Sequence, residues 1–124
     1  MMSKVTFSTP ELIRERSNAY RRQMDSTNPK DQGYTMCNET WPGMAKLIEE
    51  AGEVTQVCGK IISVRGSPFY YDGTQLRFPL QEELGDLLAA ITYVIDENNL
   101  DKSVIRSRVT EKLKKYYNWK ELNQ

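Results

Sequence analysis

Two stretches of this chain superimpose residue for residue, and they constrain its fold more than any other feature. They are KLIEEAGEV, residues 46–54, and PLQEELGDL, residues 79–87, with the shared pattern L-x-E-E-x-G-[E/D]-[V/L]. Wound at about 100° per residue, each stretch begins a longer segment with an apolar stripe, as an amphipathic helix requires. The stripes comprise Leu47, Ala51, Val54, Cys58 and Ile61 in the first segment, and Leu80, Leu84, Leu87, Ile91 and Val94 in the second. The pattern predicts two helices that pack through these stripes.

Acidic residues lie unusually close to both stripes. Glu50 is roughly 60° from the centre of the first stripe and Glu53 is at its edge, whereas solvated glutamates usually lie opposite. Glu83 and Asp86 have the same two angles in the second segment. Because residues three apart on a helix project together, each helix carries a carboxylate pair. Packing through the stripes predicts that the two pairs meet at the rim of the interface.

Four converging carboxylates need a neutralising partner. Several negative charges in a partly desolvated site are strongly unfavourable unless they take up protons or bind a cation. Oxygen-only ligands select hard cations, and Mg²⁺ combines a few carboxylates with retained waters and the phosphates of a substrate. The pattern therefore predicts a Mg²⁺ site, with Mn²⁺ as a substitute and a nucleotide as the partner. The alternative is that each acidic run is a solvated helix face.

Length and charge limit the other possibilities. With 124 residues, 39% hydrophobic and 27% charged, the chain suits one soluble globular domain, residues 1–124. No run approaches the roughly 18 apolar residues of a membrane span, and the N-terminus lacks the apolar centre of a signal peptide, so we expect a cytoplasmic protein without a membrane partner. The 17 basic and 17 acidic residues balance, which disfavours nucleic-acid binding through bulk electrostatics.

The absence of histidine narrows the chemistry. Cys37 and Cys58 are too far apart for a C-x-x-C site, and no histidine accompanies them. Zinc binding and thiol–histidine catalysis are therefore not expected, and both cysteines are expected to be reduced. Acid–base chemistry falls to carboxylates, lysine, tyrosine or metal-bound water.

The order of local signals predicts an all-α, antiparallel bundle of about four main helices. Ser8-Thr9-Pro10-Glu11 is a strong helix start. A small hairpin-like excursion is predicted between the second and third helices, from Ile61 to Pro79, because Asp72-Gly73 lies there between aromatic and β-branched runs. The predicted helices run from about Pro10 to Asp25, from residues 40–43 to near Lys60, from Pro79 to about Glu97, and from the capping residue Asp101 to about Tyr117.

The paired acidic motif resembles that of the all-α nucleoside triphosphate pyrophosphohydrolases, which include MazG-like proteins, dimeric dUTPases and phosphoribosyl-ATP pyrophosphatases. Their E-E-x-x-E followed by E-x-x-D appears here as Glu49-Glu50-Ala51-Gly52-Glu53 and Glu83-Leu84-Gly85-Asp86. The resemblance extends from about Leu47 to Lys115. It implies Mg²⁺-dependent hydrolysis of a nucleoside triphosphate between the α and β phosphates, giving the monophosphate and pyrophosphate.

The resemblance also implies roles for single residues. It makes Glu50, Glu53, Glu83 and Asp86 the Mg²⁺ ligands. By the same resemblance, Glu49 does not coordinate the metal directly, or it helps to position the attacking water. The implied catalytic residues are Glu49, Glu50 and Glu53.

Substrate contacts are implied outside the acidic motif. Lys112 and Lys115 on the last helix correspond to the phosphate-binding residues, although a solvated basic face explains them equally well. Tyr34 and Trp41 are the base-binding candidates by position; otherwise Tyr34 is a loop residue and Trp41 packs on the bundle. Relatives complete the pocket with a second subunit, which implies a homodimer or homotetramer.

Two other functions stay open. A phosphoribosyl-ATP pyrophosphatase would share the metal site but recognise a second phosphate-bearing ribose. A helical interaction module would carry the acidic edges as surface or ion-stabilised structure without turnover.

Overall fold

The computed structural model describes residues 40–123 of the chain. They form three helices and no strand: α1 is Met44–Ser63, α2 is Arg77–Glu97 and α3 is Lys102–Leu122. The all-α prediction is thereby confirmed for the described residues. The predicted helix Pro10–Asp25 lies outside them, as do Tyr34 and Cys37. No described helix combines the length and apolarity needed to span a bilayer.

The helices α1 and α2 pack against each other in antiparallel fashion, and among the described residues no other pair of helices makes comparable contact. Their shared core is small. Its buried members are Val57 from α1 and Ala90, Thr92, Val94 and Ile95 from α2, with Leu76 just before α2. The hydroxyl of Thr92 is buried without penalty because it donates to the carbonyl of Leu88 at 2.8 Å.

The buried side of each helix agrees with the predicted apolar stripe only in part: Val94 is buried and most other stripe residues are half-buried, but three are exposed. On α1, Val57 is buried whereas the predicted stripe residues Ala51 and Cys58 are exposed. On α2, Ala90 is buried but Leu84 is 42% exposed. On α1 the packed side also includes Glu50, Glu53 and Val57. Three of the four carboxylates are therefore half-buried between the helices, whereas Asp86 is exposed. Cys58 is a free, exposed thiol.

The start of α1 is fixed by close contact with the end of α2. Gly43 precedes α1 with φ of 90°, and a Cβ built there would lie 2.8 Å from both Tyr93 Cδ1 and Val94 Cγ2. Nearby, the side-chain amide of Asn98 donates to the carbonyl of Pro42 at 2.9 Å. Glycine is required at position 43 both by the left-handed backbone and by the lack of space.

The connection between α1 and α2 is a turn with a single antiparallel bridge, Phe69 to Gln75. Thr74 N donates to the Asp72 carboxylate at 2.9 Å, and Gly73 has φ of 86°, a left-handed conformation that glycine adopts readily in turns. The hairpin-like excursion is thus present as a turn, without strands.

Helix ends agree with the predicted bounds to within about three residues, except that α3 continues to Leu122, beyond the predicted end at Tyr117. Asp101 caps α3 as predicted, accepting from Ser103 N at 2.9 Å and Val104 N at 3.3 Å. The helix α2 begins at Arg77, before Pro79, which is tolerated because a proline in the first helical turn withholds no intrahelical hydrogen bond.

Candidate metal site

Four carboxylates from α1 and α2 converge at the middle of the helix pair. One oxygen from each of Glu50, Glu53, Glu83 and Asp86 lies within 4.8 Å of the others. We call these four residues the carboxylate cluster. Their convergence follows from antiparallel packing of two helices that carry the same acidic motif in the same phase. Their assignment as metal ligands stays a prediction.

The burial of the cluster leaves two oxygens without partners. Glu50, Glu53 and Glu83 are half-buried and Asp86 is exposed. Oε2 of Glu50 and Oε2 of Glu83 are inaccessible to solvent and have no hydrogen-bond donor. A buried carboxylate oxygen without a donor is unfavourable by more than the net value of a typical hydrogen bond. A proton or a cation bound at these two oxygens would remove this unfavourable free energy.

The electrostatics of the metal-free cluster point the same way. A hydrogen bond shared with Glu53 raises the pKa of Glu83 to about 7, with desolvation and the neighbouring negative charges adding to the shift. Desolvation raises the pKa of Glu50, and the carboxylates of Glu53 and Asp86 raise it further. The cluster thus holds a proton near neutral pH, which a cation would displace.

The donor set itself fits a hard divalent cation. It offers carboxylate oxygens alone, without the sulfur or imidazole ligands that favour zinc or copper. Carboxylates in this number satisfy Mg²⁺ or Mn²⁺, with water or substrate oxygens completing the coordination.

Glu49 lies next to the cluster but is not part of it. Its side chain is 49% exposed, and its Oε2 accepts from the Lys46 ammonium at 2.7 Å. The predicted role of Glu49 outside the ligands is consistent with this position.

A cleft of about 270 Å³ lies between α1 and α2 and opens beside the cluster. We call it the α1/α2 cleft. Its lining residues are Lys46, Glu50, Asp86, Ala89, Ala90 and Tyr93. The sequence patterns do not indicate Lys46, Ala89 or Tyr93 as site residues. Helical spacing could have indicated two of them. Lys46 precedes Glu50 by four residues and Tyr93 follows Asp86 by seven, and both intervals place side chains on the same face of a helix.

The predicted phosphate and base contacts are not assembled at this cleft in the described residues. Lys112 lines an apolar groove on α3. The Lys115 ammonium lies 3.8 Å from Glu111 Oε1 on the same helix. Trp41 is 57% exposed immediately before α1 and is not among the residues that line the cleft. Tyr34 lies outside the described residues.

No family model, curated protein or solved structure matches the chain. The resemblance to the all-α pyrophosphohydrolases therefore stays an expectation carried by the paired acidic motif.

Proposed function

We propose that this protein is a cytoplasmic, Mg²⁺-dependent nucleoside triphosphate pyrophosphohydrolase. It hydrolyses a ribo- or deoxyribonucleoside triphosphate between the α and β phosphates, releasing the monophosphate and pyrophosphate. One observation carries the proposal: four carboxylates from two helices converge, and two of their oxygens are buried without partners. An acidic surface edge without a ligand would leave its oxygens in water.

The residues of the chain have distinct tasks in this reaction. Glu50, Glu53, Glu83 and Asp86 would hold Mg²⁺. When bound, Mg²⁺ supplies neutralisation of phosphate charge and lowers the pKa of water. Glu49, at the edge of the cluster, orients the attacking water. Half-burial of the cluster limits competing solvent and strengthens the interaction of the carboxylates with a cation.

The finer architecture belongs to the same proposal. We expect a four-helix antiparallel bundle that assembles as a homodimer or homotetramer, with Lys112 and Lys115 at the phosphates and Tyr34 or Trp41 at the base. Exposed apolar side chains on α3 support an additional subunit, because large apolar patches are usually covered in an assembly.

A non-catalytic interaction module is the second candidate. The observation that favours it is the exposed apolar groove along α3, where Val104 is 63% and Tyr116 is 53% exposed. In that case the carboxylate cluster would bind a cation for structural reasons alone.

The deciding experiment incubates the purified chain with Mg²⁺ and each canonical NTP and dNTP. Monophosphate and pyrophosphate are resolved from diphosphate and orthophosphate. We expect monophosphate and pyrophosphate as products. Their formation should be lost when a chelator is added and in the variant Glu53→Gln. Glu82→Gln is the matched control, because Glu82 lies in the same motif but is exposed and outside the cluster.

Negative outcomes are also informative. Turnover of phosphoribosyl-ATP alone would reassign the substrate within the same reaction. Cation binding without turnover of any of these nucleotides would contradict the proposal and favour the interaction module.

A further inference from the structure

We propose that Lys46 is the residue through which the α1/α2 cleft binds the polyphosphate of its substrate. The inference rests on the proposed function and deepens it by adding a substrate contact on α1. The resemblance instead implied phosphate contacts on the last helix.

Lys46 lies in the cleft beside two residues of the carboxylate cluster. Lys46 lines the cleft together with Glu50 and Asp86, and it is the sole cation among the lining residues in the described part of the chain. It lies one helical turn before Glu50, so both side chains project to the same side of α1. Its side chain is 32% exposed, which leaves the ammonium within reach of a ligand from solvent.

Tyr93 closes one side of the cleft that contains Lys46 and is itself packed against Gly43. A Cβ at Gly43 would approach Cδ1 of the Tyr93 ring to 2.8 Å. Ala89 and Ala90 present only methyl groups to the cleft. The resulting space of about 270 Å³ continues directly from the carboxylates.

The negative charge of the carboxylate cluster makes a positive side chain necessary for binding a polyphosphate. Four carboxylates with one divalent cation keep a net negative charge, which would repel a polyphosphate at close range. An ammonium group beside the cluster offsets that repulsion and forms charge-assisted hydrogen bonds to phosphate oxygens. The present ion pair of Lys46 with Glu49, at 2.7 Å, is exposed. Such pairs add little stability, so phosphate can replace Glu49 readily.

The position of Lys46 in α1 is unfavourable for a cation. Lys46 is the third residue of α1, which has no acidic residue in its first turn and no side-chain cap. That position favours glutamate, both for capping and for interaction with the helix dipole, and it disfavours a cation. A residue that breaks a local rule without stabilising the fold is expected at a functional site.

The test uses the full chain, Mn²⁺ and inorganic tripolyphosphate, measured by titration calorimetry. In Lys46→Gln we expect the affinity of the Mn²⁺-loaded protein for tripolyphosphate to fall by about tenfold or more, as for the loss of a charged hydrogen bond. Mn²⁺ affinity without tripolyphosphate should be retained or increased, since a nearby positive charge is removed. Lys46→Arg should keep most of the binding. Lys60→Gln is the matched control, because Lys60 lies further along α1, with its ammonium 5.3 Å from the Tyr70 ring centroid.

The outcomes separate this inference from the proposed function. Tripolyphosphate binding that needs Lys46, in a protein that hydrolyses no nucleotide, would support the inference and contradict the function. Unchanged hydrolysis and tripolyphosphate binding in Lys46→Gln would overturn the inference and leave the function intact. Absence of tripolyphosphate binding by the wild type, or a parallel loss of Mn²⁺ affinity in Lys46→Gln, would also overturn it.

Discussion

At the scale of single residues, the proton on Glu83 links the site to stability. The pKa of Glu83 in the folded protein is about 7, raised from an ordinary value of 4.5, chiefly by the hydrogen bond shared with Glu53. A raised carboxyl pKa means that the folded state binds the proton more tightly than the unfolded state does. Its stabilising contribution is therefore complete below the unfolded pKa and is lost as pH rises through the folded pKa.

We predict that the free energy of unfolding of the metal-free protein falls between about pH 4.5 and 7. Glu83→Gln should remove most of this fall, and Glu82→Gln should retain it. Hydrogen bonds lower the pKa values of Asp72 and Asp101, so these groups act at lower pH, outside the interval. Denaturant unfolding in chelator at several pH values provides the measurement. A flat wild-type profile over this interval would contradict the prediction.

Asp86 offers a second test at this scale. Asp86→Asn removes one negative charge from the metal-free cluster, so stability in chelator should be unchanged or higher. The stabilisation by Mn²⁺ should be lost; for the wild type it is about 2.7 kcal/mol at 100 times the dissociation constant. Thermal unfolding with and without Mn²⁺ measures both effects. Collapse of the metal-free variant would instead assign Asp86 to the fold.

At the scale of helices, we expect opposite effects on stability from substitutions at Gly43, just before α1, and at Gly52, inside α1. In Gly43→Ala the added methyl would meet Tyr93 and Val94 at 2.8 Å, and the backbone would be strained at φ of 90°. We expect a loss of about 2 kcal/mol or more in the free energy of unfolding, from overpacking and strain together.

Gly52→Ala is the matched control within α1. Nothing in the structure lies within 4 Å of a Cβ at this position. Because alanine favours a helix interior over glycine, we expect a gain of about 0.5–1 kcal/mol. Equal effects of the two substitutions in denaturant unfolding would rule out the close contact between the start of α1 and the end of α2.

At the scale of the whole molecule, we expect the exposed apolar face of α3 to govern assembly. Val104, Ile105, Val109, Leu113 and Tyr116 line one apolar groove along the helix. Val109, near the middle of the groove, is 51% exposed. We predict that this groove is covered by a second copy of the chain, consistent with the expected homodimer or homotetramer.

The corresponding variant is Val109→Asp, which places a charge in the apolar groove. It should shift the protein towards monomer in sedimentation equilibrium while helix content by circular dichroism is kept. Ser107→Asp adds the same charge on the polar side of α3 and should leave assembly unchanged. A wild type that is monomeric at every concentration would refute this account.

Local physics determined much of this molecule in advance. The helices follow from apolar periodicity, the start of α3 from the Asp101 side chain, and the turn at Asp72-Gly73 from a residue pair that tolerates the left-handed backbone. The meeting of two acidic pairs followed from their equal phase on consecutive helices. Each of these features depends on interactions within a few residues, which a single sequence contains.

Tertiary packing decided how each helix is rotated about its axis. Periodicity indicated Ala51 and Leu84 as buried, yet Val57 and Ala90 occupy the interface. The rotation depends on contacts between distant residues, such as Gly43 with Tyr93, and an apolar stripe wider than the interface does not specify it.

The same packing decided the chemistry of the site. It buried the unpartnered oxygens of Glu50 and Glu83, and it brought Lys46 and Tyr93 from opposite helices to one cleft. Sequence alone therefore determined which carboxylates meet, because their phase is a local property. Their burial and their neighbours were decided by the tertiary structure, because both depend on the partner helix.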